Sequence, residues 1–127
     1  MEKKIDNNNI SDIINEKIPL VYIDPNGVFK YVQISCNGKI YIRGIKKYKY
    51  HKGIFKSFNA EIEKLNLNKK ISTKCIGGGR INHDKENKKI LVYGYSNAYG
   101  RCEHKLTVDM LKKVYPDYEI NWTNEGY

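Results

Sequence analysis

The sequence predicts a single α+β domain in which a mixed β-sheet of about six strands is flanked by two α-helices. Three observations predict it. An Asn37-Gly38 pair sits between two runs of alternating apolar residues. After His51 the apolar period changes from two to helical spacing. Strand-forming runs then return before a second helical stripe ends at Pro116. The 127 residues suit one hydrophobic core.

Residues 1–18 are polar with scattered Ile and read as a flexible N-terminal arm, with a short helix around residues 11–17. Pro19 opens the domain, which spans residues 19–127. Residues 20–23 form a short strand, and Asp24-Pro25-Asn26-Gly27 is a turn signal. Residues 28–36 alternate, with Val28, Val32 and Ile34 on one face, and residues 39–45 return from the Asn37-Gly38 turn. Ile54, Phe55, Phe58, Ile62 and Leu65 follow helical spacing over about four turns. Residues 71–81 and 88–95 are rich in strand formers, with a turn at residues 85–88. Val108, Leu111 and Tyr115 mark the second, shorter helix. Tyr118, Ile120 and Trp122 alternate as the last strand.

Composition narrows the partners. Basic residues outnumber acidic ones 23 to 14, a formal net charge of +9. Such a surplus attracts anions such as nucleic acid, acidic membrane or phosphorylated substrates, or simply keeps a small protein soluble. No apolar run approaches the roughly 20 residues of a membrane helix, and the first residues are too polar for a signal peptide. A soluble, cytoplasmic protein is expected, with no membrane partner. Cys36, Cys75 and Cys102 are far apart, without a C-x-x-C pair, so reduced thiols are expected.

The hairpin fixes a testable geometry. A two-residue turn makes Cys36 face Lys39 and Val32 face Arg43, which places Lys30 and Arg43 diagonally on one sheet face. Lys30 shares that face with Val28, Val32 and Ile34, where an unpaired charge is costly away from water. Either the strand lies at an edge and Lys30 extends to solvent, or Lys30 and Arg43 converge on an anion. His51 lies where strand gives way to helix. A helix N-terminus offers N–H groups and a positive dipole end to phosphate. Nearby cations disfavour imidazolium, and a neutral imidazole suits a general base or nucleophile. The same position also suits an ordinary surface or capping histidine.

Gly77-Gly78-Gly79-Arg80 lacks the Walker A spacing and fits a bulge or close backbone approach better than a nucleotide loop. Tyr93 through Gly100 ends a strand with small residues. The Ser96-Asn97-Ala98 stretch could turn backbone N–H groups toward an oxyanion, or be a plain turn. His51, His83, Cys102, Glu103 and His104 fit no structural zinc spacing, so no metal is expected.

Together these segments resemble the phosphohistidine phosphatase (Janus/Ocnus) family. The matching stretches are Asp24-Pro-Asn-Gly-Val-Phe-Lys-Tyr-Val32, Arg43-Gly44 with Tyr50-His51, Cys75-Ile-Gly-Gly-Gly-Arg-Ile81, Val92-Tyr-Gly-Tyr-Ser-Asn-Ala-Tyr-Gly100, and Tyr115-Pro-Asp-Tyr118 through Trp122 to Asn124-Glu-Gly-Tyr127. They run in order over most of residues 20–127. The resemblance implies an enzyme that hydrolyses phosphohistidine in proteins, releasing phosphate, with no metal or other cofactor. It implies His51 as the catalytic histidine, acting as general base or nucleophile. Lys30 becomes a phosphate-binding cation and Arg43 a residue that positions the His51 loop. Ser96, Asn97 and Ala98 supply substrate contacts, with Arg80 and His104 in supporting roles. Phosphohistidine-bearing proteins are then the partners of a monomer, and nucleic acid is not expected. The alternative from composition is a non-catalytic domain that binds RNA or phosphoproteins, since the charge and eleven Tyr suit phosphate contact and stacking.

Overall fold

The computed structural model describes residues 7–125. Its elements run α1 (Asn7–Lys17), β1 (Val21–Ile23), β2 (Gly27–Cys36), β3 (Lys39–Gly44), α2 (His51–Lys64), β4 (Thr73–Asp84), β5 (Lys89–Tyr93), α3 (His104–Val114) and β6 (Glu119–Trp122). From β1 onward this is the expected strand and helix order. The six strands form one mixed sheet in the order β1-β3-β2-β4-β5-β6. Its four central strands are antiparallel, and β1 and β6 add to the two edges in parallel.

The hairpin register follows from the turn. Asn37 and Gly38 both take positive φ, 51° and 78°, as a two-residue turn that matches strand twist requires. Cys36 faces Lys39 and Val32 faces Arg43, as expected. Alternation then sends Val32, Ile34, Cys36 and Tyr41 to one face, where they pack with Ile54, Phe58 and Ile62 of α2. Phe29, Tyr31 and Ile42 go to the other face and pack with Val108 and Leu111 of α3.

Three helices are present among the described residues: α2 and α3 flank the sheet as expected, and the short helix expected around residues 11–17 extends back to Asn7 as α1. Ile10, Ile14 and Ile18 recur every four residues and are buried in the core shared with α2. The Lys39 ammonium donates to Asn15 at 2.5 Å and the Asn37 amide to Ser11 at 3.2 Å, which ties α1 to the β2–β3 turn. Residues 1–6 of the expected arm lie outside the described residues.

The glycine run of β4 sits beside an irregularity: Gln33 pairs with Gly77 but Ile34 pairs with Cys75, which leaves Ile76 as the extra residue of a bulge. A Cβ on Gly77 would lie 2.7 Å from the Cys102 amide nitrogen, one on Gly78 2.7 Å from the His51 ring, and one on Gly79 2.6 Å from the His104 ring. The three glycines therefore let side chains press on both faces of the strand.

Candidate active site

His51 is the first residue of α2, and Tyr50 precedes it in extended conformation without a side-chain cap. At the start of α2 the Gly53 N–H donates to the Tyr50 carbonyl at 3.1 Å, while the N–H groups of His51 and Lys52 come too early for an intrahelical acceptor and the Tyr50 side chain does not cap them. Against Gly78 the imidazole is 5% exposed. Its Nε2–H donates to the Gly79 carbonyl at 2.9 Å. Because a carbonyl only accepts, Nε2 carries the proton and Nδ1 is left with its lone pair. Burial pushes the His51 pKa below the ordinary histidine value. The Gly79 bond works against that shift, while the charges of Lys30 and Arg80 add to it.

His51 lines an open cavity of about 600 Å³ together with Lys30, Ser96, Asn97 and Ala98. Lys30 is half-buried on β2. The strand is interior to the sheet, so the lysine reaches the cavity from the sheet surface and not from an edge. Ser96, Asn97 and Ala98 arrive from the loop after β5. Ser96 and Gly100 exchange backbone hydrogen bonds of 3.1 and 2.8 Å, and the Ser96 hydroxyl accepts from Tyr99 N–H. Gly78 N–H donates to the Gly100 carbonyl at 3.0 Å, so the same glycine strand that receives His51 also holds this loop. Ser96 is thereby buried and occupied with shaping the turn, while Asn97 and Ala98 are exposed. No hydrogen bond engages their N–H groups among the described residues.

Other expected residues lie further away. Arg43 is 1% exposed and does not line the cavity. Its Nε donates to Glu61 of α2 at 3.0 Å, its other nitrogens to the Pro19 and Ile42 carbonyls at 2.8 and 2.9 Å, and it lies over the Phe58 ring. A buried guanidinium must satisfy five donors, and α2 supplies the acid. Arg43 thus shares a sheet face with Lys30 without converging on the same anion; it anchors the helix that carries His51. Arg80 pairs with Lys30 across β2 and β4.

His104 is buried on the opposite face of the sheet. Its Nε2–H donates to the Gly94 carbonyl at 2.7 Å, and Nδ1 accepts from the Tyr31 hydroxyl at 2.5 Å. Thr107 in turn donates to that hydroxyl and Gln33 to Thr107. This chain braces Gly94, just ahead of the Ser96 loop, and the ring backs Gly79. His83 is 2% exposed and far from these groups in role: its Nδ1–H donates to the Asp24 carbonyl and its Nε2 accepts from the Tyr118 hydroxyl.

Tyr48, Tyr50, Lys52 and Lys56 also line the cavity and were not anticipated. Lys52 and Lys56 are one turn apart on the exposed face of α2. The helical spacing from His51 already contained this signal, but exposed lysines on an amphipathic helix read as a solvated face.

The arrangement can hold a tetrahedral anion between lysines and backbone N–H groups and present a neutral imidazole to it. The family model described as Janus/Ocnus family (Ocnus) matches residues 15–119. A pig protein (Sus scrofa) named 14 kDa phosphohistidine phosphatase is 41% identical over 122 residues, covering 87% of this chain and 94% of its own. The human protein of the same name is 40% identical over 121 residues, with the same coverage. The Drosophila melanogaster protein named sex-regulated protein janus-A is 41% identical over 115 residues, 87% of this chain and 82% of its own. With that extent of match, the chain belongs to the Janus/Ocnus family.

Proposed function

We propose that this protein is a phosphohistidine phosphatase that hydrolyses the P–N bond of phosphohistidine in proteins without a metal, with His51 at the reacting phosphorus. The observation that carries the reading is that His51, whose Nε2–H is committed to Gly79 and whose Nδ1 keeps its lone pair, lines one cavity with Lys30, Asn97 and Ala98. The names of the pig and human relatives point to the same substrate.

Lys30, the Asn97 and Ala98 N–H groups and the start of α2 would hold the phosphoryl oxygens. In one route Nδ1 takes a proton from water as its oxygen bonds phosphorus, the P–N bond breaks, and the leaving imidazole nitrogen gains a proton. In the other, Nδ1 bonds phosphorus as the substrate P–N bond breaks and the leaving imidazole nitrogen takes a proton; water then attacks phosphorus, breaks the His51–phosphorus bond and releases phosphate. Both use the same geometry; a burst of released imidazole marks the covalent route. A metal-free reaction is supported by the donor set, since the lining side chains are mostly lysines, tyrosines and a single histidine. The test is turnover of a phosphohistidine peptide with and without excess EDTA. Equal rates support the reading, and chelator inactivation reversed by zinc or magnesium refutes its metal-free part.

A further inference from the structure

A second hollow of about 220 Å³ adjoins the His51 cavity and shares Lys30, Tyr48 and Lys49 with it. Its own lining adds Lys46 and Arg80 and contains no acidic residue. Arg80 stands beside Lys30 because their strands pair at that position. The loop after β3 brings Lys46 and Lys49 over the same spot.

The lysines of this hollow have no carboxylate partner among the described residues. Among the described residues, ion pairs engage Lys17, Arg43, Lys88, Lys89 and Lys105, and none engages Lys30, Lys46 or Lys49. Lys49 rests over the Tyr50 ring at 5.6 Å, a contact that does not neutralise its charge. Asp24 reaches this loop, but it accepts the backbone N–H of Lys46 at 2.6 Å and the Tyr22 hydroxyl at 3.1 Å. Three such lysines lining one hollow, on a chain with a +9 surplus, repel one another unless an anion joins them.

Resting on the phosphatase reading, we infer that this second hollow is a carboxylate-binding subsite that receives an acidic residue flanking the phosphohistidine in the substrate polypeptide. Continuity through Lys30 means that whatever occupies it is a chain neighbour of the group bound at His51. The volume holds a carboxylate side chain or two and is too small for a run of stacked bases, which favours an acidic peptide over RNA.

The test uses three phosphohistidine peptides that differ only in having Glu, Gln or Lys on the flanks. Their kcat/KM and binding are measured on the full chain and on Lys46→Gln, whose backbone bond to Asp24 does not involve the side chain. Free phosphohistidine serves as the probe that does not reach the hollow. The Glu peptide should exceed the Gln peptide about five- to tenfold in kcat/KM, mainly through KM, and the gap should shrink with salt. In Lys46→Gln most of the gap should vanish while free phosphohistidine turns over as before. Equal values for Glu and Gln peptides, or an unchanged gap in Lys46→Gln, would overturn the inference while leaving the phosphatase reading intact. Tighter competition by a short RNA than by the acidic peptide would also overturn it. If no substrate is hydrolysed, the phosphatase reading fails. A Lys46-dependent preference in binding for the Glu peptide would then keep the hollow as an acidic-peptide site, and its absence would remove that too.

Discussion

Gly78→Ala tests the positioning of His51 by the strand it packs against. A Cβ on Gly78 would lie 2.7 Å from His51 Cδ2 and 2.7 Å from the Tyr31 carbonyl oxygen. The position does not need left-handed backbone, so the effect is purely steric. The Tyr31 carbonyl belongs to a central strand and cannot yield far, so the imidazole must move by about 1 Å to restore ordinary contact. That displacement strains or breaks the 2.9 Å bond to Gly79 that fixes the tautomer. Overpacking costs about 1–3 kcal/mol, and the lost hydrogen bond about 1 kcal/mol more. A misplacement of about 1 Å at a reacting group lowers turnover on the order of 100-fold. Gly38→Ala is the control: Gly38 has φ of 78° and nothing within 4 Å, so it loses roughly 1–2 kcal/mol of stability without touching the site. Thermal unfolding and phosphohistidine turnover are measured on both. Gly78→Ala should lose stability and turnover, Gly38→Ala stability alone. A folded Gly78→Ala protein with turnover within threefold of the parent would refute the reasoning.

Three other outcomes follow from the same contacts. Activity should fall with decreasing pH along a limb below about 6.5, because burial lowers the His51 pKa and protonation removes its lone pair; a limb above 7 in the pH–rate profile would contradict this. Burial also lowers the His104 pKa. The unfolded chain therefore binds protons first, and stability should decline from about pH 6.5 down to the lower folded-state values and level off beneath them, as followed by urea titration. Glu61→Ala removes the carboxylate from a guanidinium only 2% exposed at its side chain. Since Glu61 itself is 35% exposed and backbone acceptors remain, the loss should be about 2 kcal/mol, a Tm drop on the order of 6–10 °C. An unchanged Tm would contradict Arg43 as the anchor of α2.

Legibility in the sequence tracked how local the determining physics is. Asn37-Gly38 and strict alternation set the β2–β3 register, so the pairing of Val32 with Arg43 could be read before any coordinates. Pairing of Lys30 with Arg80 could not, because the bulge at Ile76 sets the β2–β4 register. The full length of α1 and its docking, beyond the short helix expected at residues 11–17, escaped for a similar reason. Asn7–Lys17 is rich in Asn and Asp and weak in intrinsic propensity, and what holds it is burial of Ile10 and Ile14 against α2 and the sheet. At the site, His51 was legible from the change of period, and the Ser96 loop from its small residues. The direction of the Arg43 side chain depended on where Glu61 falls when α2 docks. The reason for three consecutive glycines lay in His51, His104 and Cys102, residues distant in sequence.

Replacement of the histidine itself tests the central claim most directly. His51 is buried but lines an open cavity, and its side chain makes one hydrogen bond among the described residues, so His51→Ala should fold. Its turnover of a phosphohistidine peptide should fall by about 10²–10⁴-fold, the contribution of a positioned general base, with peptide binding largely kept. A folded His51→Ala protein that hydrolyses the peptide at near-parental rate would contradict both the site and the reaction assigned to it.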